Sequence, residues 1–159
     1  MPKITLNMEE VYADYYEKIR RYIFGKLQSK DDSEELVSEV FLKLCSKADS
    51  FDSTKASVST WVYTITRNTV IDYYRTRKMH ELLTDDISAE EENDLDDNLE
   101  LLAEALEQLD ERERDLIILH YYSGYTLKSI AEMVNVSYSY AKVIHNKALQ
   151  ELRKFMKGG

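Results

Sequence analysis

A chain of 159 residues suits one domain or two small ones, and a hydrophobic content of 43% is enough to fill real cores. One proline and four glycines are too few to punctuate strands and their turns, so an all-α fold is expected. The single cysteine, Cys45, excludes an internal disulfide and a cysteine-based zinc site. No apolar run approaches membrane-spanning length and no signal peptide opens the chain, so it is expected to act in the cytoplasm without a membrane segment of its own.

The formal net charge of −9 argues against nucleic acid as a partner until its distribution is followed. Between Glu81 and Glu111 there are 14 acidic residues and no Lys or Arg; the remainder of the chain holds 16 acidic and 21 basic residues, a net of +5. Residues 112–159 alone carry a net of +4. The acidity belongs to one segment, so field arguments are made locally.

In chain order, Val11, Tyr15, Ile19, Tyr22, Ile23 and Leu27 line one face of a helix expected from Met8 to about Gln28. Lys30-Asp31-Asp32-Ser33 reads as a polar break, with Asp32 or Ser33 capping a second helix. That helix has an apolar stripe of Leu36, Val37, Val40, Phe41 and Leu44, and a polar face of Glu34, Glu35, Ser38, Glu39 and Lys43. Cys45, beside Leu44, is expected at the edge of the core. A loop from Ala48 to Ser59 follows, interrupted by Phe51, and Ser57 or Ser59 caps the next helix.

The segment Ser57–Lys78 contains the only tryptophan, Trp61, with Tyr63, Tyr73 and Tyr74 and the cations Arg67, Arg75, Arg77 and Lys78. Val58, Val62, Ile65, Thr69 and Tyr73 recur at helical spacing and form a packing face. The opposite face sets aromatic rings beside guanidinium groups, an arrangement that holds single-stranded nucleic acid by stacking and phosphate charge. A core helix with a solvated basic end fits the same residues, and this segment alone leaves both readings open. Residues 79–98 are acidic and lack a sustained period, as expected of a flexible linker.

Periodicity returns with Leu99, Leu102, Ala103, Leu106 and Leu109. Asp110 ends that helix, and Glu111-Arg112-Glu113-Arg114 opens another through Leu116, Ile117 and Leu119. Gly124 marks a turn, Thr126 caps a short helix, Asn135 suits a left-handed turn position, and Ser137 caps a longer final helix. Two helices joined by so short a turn match a helix-turn-helix. With Ala141, Ile144, Ala148 and Leu152 facing inward, Ser139, Lys142, Val143, Asn146 and Gln150 face outward, flanked by Tyr138 and Tyr140.

The whole series resembles the extracytoplasmic-function (group IV) sigma factors of bacterial RNA polymerase. Asp31 to Leu44 is similar to their regions 2.1–2.2. Ser59-Thr60-Trp61-Val62-Tyr63, Thr66-Arg67-Asn68 and Asp72-Tyr73-Tyr74-Arg75 are similar to regions 2.3–2.4. Leu109 to Arg114, Gly124-Tyr125-Thr126-Leu127, Ile130-Ala131 and Val136-Ser137 are similar to region 4.

The resemblance implies two small helical domains, residues 1–78 and 99–159, joined by the linker 79–98, the second domain a helix-turn-helix. It implies core RNA polymerase (the β′ clamp helices and the β subunit) and promoter DNA as partners, and an anti-sigma factor of the kind that commonly restrains the family. Glu35, Ser38, Glu39 and Lys43 are the implied polymerase contacts, with Ser38 standing where Gln is frequent. The −10 element would meet Trp61, Tyr63, Arg67, Asn68, Asp72, Tyr73, Arg75, Arg77 and Lys78. Asn68 would help form a pocket for a flipped base, the Phe51–Thr60 loop would supply specificity, and Trp61 also suits a scaffold role. The −35 element would meet Ser137, Tyr138, Ser139, Tyr140, Lys142, Val143, Asn146 and Lys147. Tyr138-Ser139-Tyr140, Ile144 and His145 depart from the family pattern, which points to a slightly rotated core register in the last helix; His145 is expected to pack rather than to ligate.

Twenty linker residues span about 65–70 Å extended and about 25 Å as a relaxed coil. Two promoter elements lie about 60–70 Å apart, so the linker bridges them only when drawn out. Two other classes compete: a stand-alone helix-turn-helix regulator, which leaves the Trp61–Lys78 helix without a task, and an adaptor whose basic helix binds an acidic protein. Three scattered histidines and no phosphate-binding glycine loop or metal spacing point away from an enzyme and from any cofactor.

Overall fold

The computed structural model describes residues 6–27, 29–83 and 97–157, and every regular element among them is helical. The chain divides into two compact units, Met1–Asn93 and Asp94–Gly159. No helix among the described residues is long and apolar enough to cross a membrane.

The first unit holds α1 (Met8–Leu27), α2 (Lys30–Lys47) with a 3-10 turn at Ala48–Ser50, and α3 (Val58–Leu83). Its core is Tyr22 and Ile23 of α1, Val40 and Leu44 of α2, and Val62, Thr69 and Val70 of α3, all nearly or completely closed to solvent. Two threonines survive in that core because their hydroxyls bond back to their own helix. Thr66 Oγ1 donates to the Val62 carbonyl at 2.8 Å and Thr69 Oγ1 to that of Ile65 at 2.7 Å.

The start of α2 lies one turn earlier than expected. Ser29, not Asp32 or Ser33, is its cap, accepting from the Asp32 amide at 3.4 Å. The two aspartates then occupy the first turn, where the helix dipole favours them. Ser33 is buried within the helix, its hydroxyl without a partner. Cys45, expected at the core edge, is exposed, because the helix turns its position away from α1 and α3. Ser57 caps α3 through the Thr60 amide at 3.2 Å. The helix then runs five residues beyond Lys78, into the segment read as linker; residues 84–96 of that segment lie outside the described residues.

The second unit holds α4 (Asp97–Gln108), α5 (Glu111–Ile117), α6 (Leu127–Met133) and α7 (Tyr138–Met156). Leu106 and Leu109 are buried as the α4 stripe requires, with Ala105 beside them, while Leu102 and Ala103 are half-buried. The Leu99 side chain lies outside the described residues. Asp110 caps α5 through the Glu113 amide at 2.8 Å. α5 passes into a π-helical turn, Ile118–Tyr122, closed by the Ser123 amide on the Ile118 carbonyl at 3.1 Å. Four consecutive apolar residues across this junction, Leu116 to Leu119, are all buried. Gly124, at φ +83°, reverses the chain before α6 in a conformation that a Cβ would strain.

Candidate nucleic-acid and polymerase interfaces

The α6–α7 pair is a helix-turn-helix built by its caps. Thr126 accepts from the Ser129 amide at 3.1 Å and Ser137 from the Tyr140 amide at 3.0 Å. Between them Asn135 takes φ +60°, and the Val136 amide closes the turn on the Ala131 carbonyl at 2.9 Å. Ala141, Ile144, Ala148 and Leu152 are buried, so the core register of α7 is the regular one and not rotated. Tyr138, Ser139, Tyr140, Lys142, Val143, Asn146 and Lys147 are all exposed, with Ser137 at the cap. Lys142 Nζ sits 4.3 Å from the centroid of the Tyr138 ring, a cation–π contact across one turn.

His145 is packed, as expected. The Tyr121 hydroxyl and its Nε2 are 2.8 Å apart and the two rings stack, with His120 edge-on at 5.5 Å. Burial, with His120 nearby, lowers the His145 pKa. Because His120 Nδ1 meets a carbonyl, that of Tyr125 at 2.7 Å, Nδ1 carries its proton.

On α3 the residues gathered from the sequence separate into three groups. Asn68, Asp72, Arg75 and Lys78 are exposed, Arg75 loosely paired with Asp72 at 3.8 Å. Trp61 and Arg67 are half-buried, the indole packed against Phe51 at 5.3 Å, which joins the Phe51–Thr60 loop to the helix. Tyr63 is a correction: at 8% exposure it is a core residue, edge-on to Tyr22 at 5.8 Å, and it offers no ring to DNA.

Tyr73 and Arg77 are drawn inward as well. The Tyr73 hydroxyl donates to the Asp32 carboxylate, and Arg77 Nη1 donates both to the Tyr73 oxygen at 2.6 Å and to Asp32 Oδ2 at 3.2 Å. Burial and the bond to Asp32 push the Tyr73 phenol up to about 12 against the pull of Arg77, so it stays a donor. The triad fastens the end of α3 to the start of α2, and Tyr74 adds a bond to the Lys26 carbonyl.

On α2, Glu35, Ser38 and Glu39 are exposed. Lys43 is half-buried, pairing with Glu39 at 3.3 Å and donating to Thr69 Oγ1 of α3 at 3.2 Å. The sequence reading passed over Leu42, which is 72% exposed on the same face. Its signal was an apolar residue off the core stripe, at helical spacing from Glu35, Ser38 and Glu39. Phe41, read as core, is half-buried in a surface cluster with Tyr12 and Tyr16, its ring 4.9 Å from Tyr12.

Comparison with known proteins settles the family. Residues 11–79 match the model of sigma-70 region 2, and residues 105–154 that of sigma-70 region 4. The chain belongs to the sigma-70 family, in its extracytoplasmic-function branch. Among its relatives are two from Bacillus subtilis (strain 168). RNA polymerase sigma factor SigZ is 29% identical over 158 residues, covering 96% of this chain and 89% of the relative; ECF RNA polymerase sigma factor SigX is 24% identical, covering 92% and 81%. The fold is that of the sigma factor RpoE of Bartonella quintana, solved with the anti-sigma factor NepR, at a TM-score of 0.69 and 23% identity over 94% of this chain and 96% of that one. This sigma factor is therefore an RNA polymerase subunit for promoter recognition, with region 4 supplying the helix-turn-helix.

One titratable group of region 4 stands apart. Glu113 is 4% exposed; Oε1 pairs with Lys147 of α7 at 3.3 Å, while Oε2 is buried without a hydrogen-bond partner. Burial, aided by the Glu151 and Asp110 carboxyls, pushes its pKa up to about 7 against the pull of Lys147. A carboxyl whose folded pKa lies above its unfolded value binds more protons when folded. The stability it contributes is full below the unfolded value and is lost as pH rises to about 7. Glu113→Gln keeps the shape and removes the titration. We expect the variant to melt above the parent at pH 8, with a flatter pH dependence between about 5 and 7, measured by circular dichroism.

Proposed function

We propose that residues 1–78 act as the polymerase-binding and −10-reading module and residues 99–159 as the −35-reading module, with residues 79–98, including the helical ends of α3 and α4, joining them. The observation that carries this reading is the α7 register. A helix-turn-helix with four inward apolar residues leaves Ser139, Lys142, Val143 and Asn146 together on the exposed face, where base edges and phosphates are met.

On α2, Glu35, Ser38, Glu39 and Leu42 form the surface for the β′ clamp helices, Leu42 giving an apolar centre to a polar rim. Lys43 serves mainly to hold α2 to α3. On α3, Asn68 and the exposed Arg75 and Lys78 meet the −10 strand, while Trp61 and Phe51 shape the loop beside it. The chain contributes specificity and melting, and the polymerase contributes the chemistry. Its place of action is the cytoplasm, with the β subunit a second polymerase contact. The solved relative in complex with an anti-sigma factor supports a similar restraint on this chain.

Run-off transcription with purified core polymerase tests the reading: promoter-specific transcripts should appear only when the chain is added. Failure to co-purify with core, together with no transcript above the core-only control, would overturn it in favour of a stand-alone regulator. Lys142→Ala should weaken −35 binding and reduce the slope of log affinity against log salt by about 1. An unchanged slope would remove Lys142 from the phosphate contacts.

A further inference from the structure

We propose that Val143 reads the 5-methyl group of a thymine in the −35 element; the inference rests on the −35 role of α7 proposed above. Over the first three turns of α7 the exposed side chains are polar, cationic or aromatic with one exception: Val143, 58% exposed, is the only aliphatic one. It stands four residues after Ser139 and three before Asn146, in the middle of the stripe that a helix-turn-helix turns to the base edges. Lys142 does not cover it, because its ammonium is drawn back one turn over the Tyr138 ring at 4.3 Å. Tyr140, also exposed, lies one turn before Val143 on the same side of the helix and extends the apolar surface.

A β-branched aliphatic residue gains nothing from a solvated helix face and offers no hydrogen bond to a base. In the major groove one base alone displays an apolar group, the C5 methyl of thymine, and that is the group such a side chain fits. Covering a single methyl is worth about three- to fivefold in affinity.

The test begins by selecting active −35 sequences from a randomised duplex library, using transcription by core polymerase with the full chain. Binding of that holoenzyme is then compared on a selected duplex, on the same duplex with deoxyuridine replacing each −35 thymine in turn, and on a duplex with the −35 element scrambled. Uracil keeps every hydrogen-bonding group of thymine and lacks only the methyl. At one position the replacement should weaken the parent by about three- to fivefold. Val143→Ala, at an exposed site that leaves the core intact, should lose a similar factor on the thymine duplex and bind both duplexes equally.

The inference is overturned if no thymine replacement changes parent affinity, if the V143A variant keeps the parental preference for thymine over uracil, or if selected elements carry no thymine. Scrambling separates it from the reading beneath it. If scrambling costs affinity and uracil does not, methyl reading fails alone. If scrambling costs nothing, the −35 role of α7 fails with it.

Discussion

Replacing Arg114 with alanine should unfold the second unit at a temperature about 10–20 °C lower while leaving the first unit intact. Three carbonyls at the end of α4 accept from this side chain, that of Leu106 also from the Leu109 amide at 3.1 Å. Nε donates to Leu106 at 2.9 Å, and Nη2 donates to Glu107 at 3.0 Å and Leu109 at 3.1 Å. The final carbonyls of a helix have no partners within it, and a guanidinium in that position also meets the negative end of the helix dipole. The planar fork spans all three acceptors at once. Water can replace part of the loss, because the Glu107 contact is exposed, so the cost is about 2–3 kcal/mol rather than the sum of three charged bonds.

Trp61 belongs to the first unit, so its fluorescence follows that unit, while far-ultraviolet dichroism follows the helices of both; a dichroism transition that precedes the fluorescence change is that of the second. Arg114→Lys should recover only a fraction, since an ammonium cannot reproduce the fork. A melting temperature within two or three degrees of the parent in R114A would show that the three bonds are redundant.

Asn68→Ala should reduce the yield of open promoter complexes about tenfold or more and leave binding to core polymerase unchanged. The two effects separate because of where the residue stands. Asn68 is exposed on α3, whereas its neighbours Thr66, Thr69 and Val70 are buried, so the substitution opens no cavity and should leave the fold alone. The residues proposed above to face the polymerase, Glu35, Ser38, Glu39 and Leu42, are on α2. Flipping a base costs a few kcal/mol of unstacking, and a pocket that loses about 1.4 kcal/mol of that compensation loses a factor of ten in the melted population. Permanganate reactivity of the melted thymines measures the yield directly. Equal reactivity in N68A and the parent would exclude Asn68 from the base pocket.

The basic end of α3 illustrates how a single helix divides between scaffold and function. Tyr73 and Arg77, which look like nucleic-acid contacts by residue type, close a triad with Asp32. Arg75 and Lys78, with the same charge on the same helix, remain exposed. An arginine engaged in this way brings less new charge to a phosphate, since its pairing with Asp32 must first be given up. Binding along α3 is therefore expected to draw on Asn68, Arg75 and Lys78 before Arg77.

Much of the second unit was legible from local chemistry alone. Thr126, Ser137 and Asp110 cap because short oxygen-bearing side chains satisfy helix amides only one turn away. Asn135 takes its left-handed turn for an equally local reason, and the α7 core stripe follows from a period of 3.6. These features depend on a few neighbours in sequence, so the sequence by itself determined them, along with the all-α class and the order of blocks that marks the family.

Only the tertiary structure decided the placement of amphipathic residues. Tyr63, Tyr73, Lys43, Arg77 and Glu113 each have a polar group and an apolar stem, so helical period leaves both surfaces open to them. Packing against another helix settled each one: Tyr22 took Tyr63 into the core, Thr69 drew in Lys43, Asp32 captured Tyr73 and Arg77, and Lys147 of α7 paired with Glu113. The same holds in reverse for Leu42 and Cys45, which are apolar or small yet exposed because no helix covers that side of α2 among the described residues. A side chain's chemistry says what it is able to contact; which contact it makes depends on residues brought close from far along the chain.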